Sequence, residues 1–247
     1  MIEIPQSLIN LMRSAKRVAV LTGAGVSAES GVPTFRQAQT GLWAQYDPQS
    51  LATPEAFRAD PELVWNWYAW RRELAGRVSP NPGHYALAQI EACVEQFDLF
   101  TQNVDDLHDQ AGSQNITRFH GNIFLIKCFD QHHMVEDWQN LPGTPPKCPI
   151  CGSYLRPDVV WFGEMLPPNA IDHAVETVRQ ADVVFSIGTS SLVMPAAAVP
   201  VEAINASIPV IEINPNPTPI SDYVAMALRG KSGEILPALV DAVWPDR

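Results

Sequence analysis

Cysteine, basic charge and long apolar runs are all scarce in this chain, and each shortage excludes a class of protein. Four cysteines in 247 residues, Cys93, Cys128, Cys148 and Cys151, are too few for a disulfide scaffold. Lys and Arg number 16 against 27 Asp and Glu, a net charge of −11. A chain this acidic does not grip nucleic-acid phosphates as its main business, though backbone amides can still hold one phosphate-bearing ligand. The most apolar region, Leu192 to Ile213, is cut by Pro195, Pro200, Glu202, Asn205 and Pro209, which argues against a membrane span. Residues Met1 to Arg13 carry Glu3 and lack the basic-then-apolar order of a signal peptide, so secretion is not supported. With no export signal and reduced-type cysteines, a cytoplasmic monomer is the expectation. No internal repeat is visible.

What remains is ordinary globular composition, 46% apolar and 17% charged. The length suits one large domain or a domain with a sizeable insertion. Proline is abundant, 22 residues in all, and scattered as in turns and irregular loops. Four apolar runs read as strands: Arg17–Thr22, Asp98–Thr101, Ala181–Ile187 and Ile208–Ile213. Helical patterns lie at Pro5–Ala15, Pro61–Ala75, Pro82–Glu95, Asn169–Gln180, Pro195–Asn205 and Ser232–Val243. Near-continuous apolar strands alternating with helices predict an α/β fold, a parallel sheet covered on both faces. From about Asn122 to Leu155 the pattern changes to cysteines, histidines and prolines with no long helix, as in a small metal-stapled insertion.

Several clusters carry chemistry. Leu21-Thr-Gly23-Ala24-Gly25-Val-Ser27 takes a strand straight into two glycines, either a tight β–α turn or a loop whose backbone approaches a ligand. No acidic residue closes a second strand about 20 residues on, which argues against an ordinary dehydrogenase site. Asn103 and Asp105 lie just past a strand end, where they can bind a ligand or cap the next helix. Gly188-Thr189-Ser190 also follows a strand directly. His120 by itself reads as a structural histidine, although its imidazole titrates near neutrality and suits a general base. Tyr68 and Arg71, three apart on a helix, share a face, which on spacing alone reads as an amphipathic helix with aromatic packing. Cys148-Pro-Ile-Cys151 reads as half of a metal knuckle. The other half starts at Cys128, but Gln131 stands where its partner belongs, leaving His132 or His133 as the replacement. Cys93 reads as a core residue, His84 as a helix-start residue, His108 as either helix surface or second layer, and His173 as solvated.

In this order the motifs resemble the sirtuins, NAD-dependent protein lysine deacylases, and the resemblance spans nearly the whole chain. Gly23-Ala-Gly25-Val-Ser27 through Pro33-Thr-Phe35-Arg36 is similar to the family's nucleotide loop. Thr101-Gln102-Asn103-Val-Asp105 through His108 is similar to the motif holding the nicotinamide end, and Phe119-His120-Gly121 to the catalytic histidine motif. Val160-Trp161-Phe162-Gly163-Glu164 resembles the strand that pairs with substrate peptide, and Gly188-Thr189-Ser190 and Ile213-Asn214 resemble adenosine-ribose contacts. Tyr68-x-x-Arg71 with Ala52 resembles the acyl pocket of the desuccinylase-like class III members, Ala52 leaving room for a longer acyl chain.

The resemblance implies a Rossmann-like doubly wound sheet, with residues 1–36, 81–121 and 160–247 binding NAD. It implies a small domain of a helical part at 37–80 and a zinc-type module at 122–159. It also implies that NAD is consumed, that acylated lysine side chains of proteins are the substrates, and that Cys128, Cys148 and Cys151 hold a structural zinc. Catalysis falls to His120, Asn103 and Asp105. Gly23, Ala24, Gly25, Ser27, Phe35, Arg36, Gln102, Gly188, Thr189, Ser190 and Asn214 join Asn103 and Asp105 on the dinucleotide. Tyr68, Arg71, Ala52, Val160, Phe162 and Gly163 take the acyl-lysine. A nucleotide-binding sensor without turnover, or a mono-ADP-ribosyltransferase, is the alternative.

Overall fold

The computed structural model describes residues 3–33 and 46–245. The strands are β1 (Arg17–Thr22), β2 (Gln96–Thr101), β3 (Ile116–Arg118), β4 (Gly121–Cys128), β5 (Leu155–Val159), β6 (Val183–Ile187), β7 (Val210–Ile213) and β8 (Met226–Leu228). The helices are α1 (Gln6–Ser14), α2 (Ala24–Ala28), α3 (Pro48–Leu51), α4 (Pro54–Ala59), α5 (Pro61–Gly76), α6 (Pro82–Cys93), α7 (Leu107–Gln110), α8 (Ala170–Gln180), α9 (Ala198–Asn205) and α10 (Ser232–Val243). None of the helices among the described residues is long and apolar enough to cross a membrane.

Six strands form one parallel sheet in the order β3-β2-β1-β6-β7-β8. This is the doubly wound arrangement, whose order reverses between β1 and β6. Strand alternation sends Val18 and Val20 to one face and Ala19 and Leu21 to the other. The first face packs against Leu8 and Met12 of α1, Leu87 and Ile90 of α6, and Leu236 and Leu239 of α10. The second packs against Ala174 and Val178 of α8 and Val199 and Ala203 of α9. Sequence reading missed β3 and β8, each a three-residue edge strand of half-buried residues too short to show a pattern. The helix read from Pro195 begins only at Ala198.

The second unit is an antiparallel β4–β5 pair with α3, α4 and α5. Asp47, Thr53 and Asp60 cap α3, α4 and α5, each helix opening on a proline at its first or second position. Phe57, Val64, Trp67 and Tyr68 of these helices share a core with Ile123, Val159 and Trp161. A smaller cluster joins Trp65 of α5 to Ile126, Cys128, Cys148 and Leu155. Arg72 fastens the two together: its Nε donates to the Ile123 carbonyl at 2.9 Å and its guanidinium lies 4.8 Å from the Trp138 ring and 5.5 Å from that of Trp65.

Candidate active site

A cavity of about 1060 Å³ opens at the carboxyl ends of the parallel strands. Residues reach it from the ends of four of them: Gly23 to Gly25 after β1, Gln102 to Asp105 after β2, Gly188 to Ser190 after β6, and Asn214 after β7. Ligands collect at this edge of an open parallel sheet because the strand ends splay apart at the switch point. Ser27, Ala52, Tyr68, Arg71, His120, Val160, Phe162 and Gly163 line the same cavity, so the two units meet across it. Gln49, Trp70, Met165 and Leu192 also line it. No local pattern singled them out; they reach the cavity because four separate segments converge there. Phe35 and Arg36 lie outside the described residues.

The glycines answer first to protein backbone. A Cβ on Gly25 would lie 2.7 Å from the Gly188 carbonyl oxygen, and one on Gly23 2.8 Å from it. Gly188 itself has φ +61° and donates its N–H to Ile213 at 3.0 Å. The loop after β1 thus sits directly on the turn after β6, joined by Gly25 N–H to the Gly188 carbonyl at 2.8 Å. Glu29 ties the same loop to α10, accepting from Ser232 Oγ at 2.6 Å and Gly233 N–H at 3.1 Å.

Polar side chains of the strand ends are bound to one another. Asn103 donates from Nδ2 to Ser27 Oγ at 3.0 Å, Gln102 from Nε2 to Thr189 Oγ1 at 2.9 Å, and Asn214 from Nδ2 to the Thr189 carbonyl at 2.8 Å. Thr189 therefore holds its neighbours, and neither it nor Ser190 caps the helix beyond. Asp105 lies one residue ahead of Asp106, the N-cap of α7, and its carboxylate accepts Leu107 N–H at 3.2 Å. Its carboxyl is pushed up, chiefly by burial, against hydrogen bonds from Ser27 and Leu107 N–H that favour the anion.

His120 Nδ1 lies 2.9 Å from the Gln102 carbonyl. A carbonyl only accepts, so Nδ1 carries the proton and Nε2 keeps its lone pair. Burial holds this imidazole below its ordinary pKa, partly opposed by the bond to Gln102. It is therefore a neutral base at physiological pH.

At the far end of the cavity, the Arg71 guanidinium is 5.9 Å from the Tyr68 ring and 5.0 Å from that of Trp67. Burial pushes the Tyr68 phenol up to about 12 even beside Arg71, so it stays a neutral donor. Ala52 is nearly inaccessible and its carbonyl accepts Phe162 N–H at 2.9 Å.

The segment Val160–Glu164 corrects an expectation: it is not a strand. Strand β5 stops at Val159, and Gly163 turns the chain with φ +87°. The physical cause is Arg156, fully buried on β5. It donates to Glu164 from both Nη atoms, at 2.5 and 3.0 Å, and to the Val159 carbonyl at 2.7 Å, while stacking on Trp161 with Cζ 3.2 Å from the ring centroid. Glu164 also accepts Trp161 N–H at 2.8 Å, which closes the segment into a loop.

The metal-type cluster is Cys128, His133, Cys148 and Cys151, whose ligand atoms all lie within 4.8 Å of one another. Cys128 and Cys151 sulfurs are 3.7 Å apart, and Cys148 Sγ is 3.9 Å from His133 Nδ1. Tetrahedral zinc with bonds of about 2.3 Å to sulfur and 2.0 Å to nitrogen requires ligand separations of roughly 3.5–3.8 Å, so the set fits. Of the two histidines the sequence left open, His133 faces the cluster and His132 is exposed with φ +57°. Burial pushes the Cys148 thiol up, but hydrogen bonds from the N–H of Cys151, from His133 and from the N–H of Ile150 outweigh it and bring it to about 6. Among the others, Cys93 is half-buried and His173 half-exposed, while His84 stands in the first turn of α6 and accepts Asn81 N–H. His108 is buried rather than on a helix surface.

Comparison with known proteins agrees with this geometry. The Sir2 family model matches residues 23–195. NAD-dependent protein deacylase 1 of Archaeoglobus fulgidus is 47% identical, over 95% of this chain and 96% of that one. NAD-dependent protein deacylase 1 of Pseudomonas aeruginosa is 43% identical over 97% and 99%. A crystal structure of a Sir2 homologue in complex with NAD superposes with TM-score 0.90 at 46% identity, covering 98% of this chain and 94% of that one. A mutant Sir2 homologue in complex with 2′-O-acetyl ADP-ribose superposes with TM-score 0.89 at 45% identity, covering 97% and 96%. With matched motifs in order, a family model over most of its length and a shared fold, this chain belongs to the Sir2 family.

Proposed function

We propose that the protein is an NAD-dependent protein lysine deacylase that accepts acetyl and the acidic succinyl and malonyl groups. Free lysine, nicotinamide and O-acyl-ADP-ribose are its products. The single observation that carries the reading is His120, fixed by the Gln102 carbonyl as a neutral base in the cavity where the strand ends meet the small unit. Names of relatives support it, since the A. fulgidus and P. aeruginosa proteins are called NAD-dependent protein deacylases. A further Sir2 structure in the same fold carries a deacetylated p53 peptide, which supports a protein substrate.

NAD, when bound, supplies the ribose carbon from which nicotinamide leaves. The chain's own residues do the rest. Gly23, Ala24, Gly25, Ser27, Gln102, Gly188, Thr189, Ser190 and Asn214 line the dinucleotide part of the cavity. Asn103 and Asp105 hold the nicotinamide end, their hydrogen bonds to Ser27 and Leu107 fixing them before anything binds. His120 Nε2 takes the proton of a ribose hydroxyl. Val160, Phe162 and Gly163 flank the acyl-lysine, and Ala52, Tyr68 and Arg71 receive the acyl group. A neutral phenol and a guanidinium each add a hydrogen bond to a terminal carboxylate, about 1.5–3 kcal/mol where one partner is charged.

Mass spectrometry of matched acetyl- and succinyl-lysine peptides, with and without NAD, tests the reading. Acyl loss should require NAD and match nicotinamide release mole for mole. No nicotinamide release with acyl-peptide present would leave a sensor. ADP-ribose on a protein acceptor with the acyl-lysine intact would mean mono-ADP-ribosyl transfer.

A further inference from the structure

Beneath the cavity floor lies a chain of buried polar side chains that the proposed chemistry does not use. Thr22 ends β1 and Thr101 ends β2, paired side by side in the sheet. Both are buried, and Thr22 Oγ1 donates to Thr101 Oγ1 at 2.9 Å. His108 of α7, 2% exposed, places Nε2 3.0 Å from Thr22 Oγ1. Thr101 Oγ1 in turn accepts the backbone N–H of Asn103 at 3.1 Å. Asn103 then reaches Ser27 Oγ at 3.0 Å.

The protons on this chain run one way. Where Thr22 gives its hydroxyl proton to Thr101 it accepts from His108, whose Nε2 is then the donor. That leaves Nδ1 of His108 as a lone pair, and it has no hydrogen-bond partner. Nε2 of the neighbouring His84 likewise has no hydrogen-bond partner. His84, 4.8 Å away between centroids, accepts Asn81 N–H at Nδ1 and so carries its proton on Nε2. Burial keeps both rings uncharged, His84 down to about 4 and His108 to about 3. A neutral imidazole with a fixed tautomer is a directional clamp, which a charged one in this site could not be.

We infer that His108 is a positioning residue: through Thr22 and Thr101 it fixes the backbone N–H of Asn103, and with it the amide side chain that faces the nicotinamide end of the dinucleotide. The inference rests on the deacylase reading and deepens it. His108 touches no substrate itself. It acts because Asn103 lies two residues past the end of β2, after the last ladder bond from Gln102 N–H to the Thr22 carbonyl, where a side-chain hydroxyl takes over from the sheet.

Steady-state kinetics on His108→Leu and His108→Gln test this, with Thr22→Val and Thr101→Val as isosteric breaks elsewhere in the chain. The leucine variant should raise KM for NAD about tenfold, as loss of one buried hydrogen bond does, and leave KM for acyl-peptide unchanged. The glutamine variant, whose amide can donate where Nε2 does, should recover most of that loss. His108→Leu combined with Thr101→Val should be no worse than either alone. If leucine at 108 does not fold, the two valine variants carry the test, and each should show the same NAD-selective rise. A merely structural role would lower kcat through fewer folded molecules and leave both KM values alone. Equal KM values for NAD in wild type and folded variants, or strictly additive losses in the double variant, overturn the inference. A wild-type protein that releases no nicotinamide overturns the deacylase reading instead.

Discussion

A base works only while it is uncharged, and burial is what keeps His120 so. Its imidazole is held below the ordinary value, so the acid limb of kcat/KM should fall below pH 6.5 rather than at it. His120→Ala should cut deacylation by about 10²- to 10⁴-fold while the melting temperature stays close to wild type. Unchanged turnover would remove it as the base. Arg71 should separate substrates instead. Arg71→Met should lower desuccinylation about 10- to 150-fold more than deacetylation, since only the succinyl group offers a carboxylate to the fork. Matched losses on both peptides would take Arg71 out of acyl recognition. Both residues were legible in the sequence as residue types in a motif. The bond that makes His120 a base is different: it runs to the carbonyl of Gln102, 18 positions away, and no local pattern encodes it.

Elements differ in how openly they announce themselves. Helix α10 and strand β1 lie where periodicity put them, because each buries a full face against a partner. The Val160–Glu164 segment, a strand only by resemblance, is a loop in which the buried Arg156 holds the half-buried Glu164. Gln131 concealed the fourth corner of the cysteine cluster. The chain recruits His133 two positions on, which only the β4 turn geometry reveals. Purified protein should hold about one zinc per chain by elemental analysis, and chelation should lower the melting temperature by several degrees, since structural zinc contributes directly to folding. His133→Ala should weaken zinc retention and His132→Ala should not. Equal zinc content in the two variants would return the fourth ligand to doubt.

At the scale of the whole molecule, acid should unfold this protein earlier than its carboxylates alone require. His84 and His108 are held at about 4 and about 3, both chiefly by burial, against about 6.5 in an unfolded chain. Between those values the unfolded state takes up protons that the folded state refuses. Stability is therefore complete above about pH 6.5 and falls as pH drops toward the folded values, by up to about 1.4 kcal/mol per unit for each ring. Urea midpoints measured between about pH 5 and 7 should decline on the acid side, and His84→Gln should flatten the slope. A level profile in wild type would mean these rings charge without cost. The amino-acid sequence by itself determined the class of fold, because burial on both faces of a parallel sheet needs apolar strands and amphipathic helices that are written locally. It also determined the ordered motifs that place the chain in its family. Only the tertiary structure decided which strand ends share a cavity, which histidine joins the cysteines and which way each buried proton points. Those depend on distances between residues far apart in the chain, and they are fixed only once the two units close on each other.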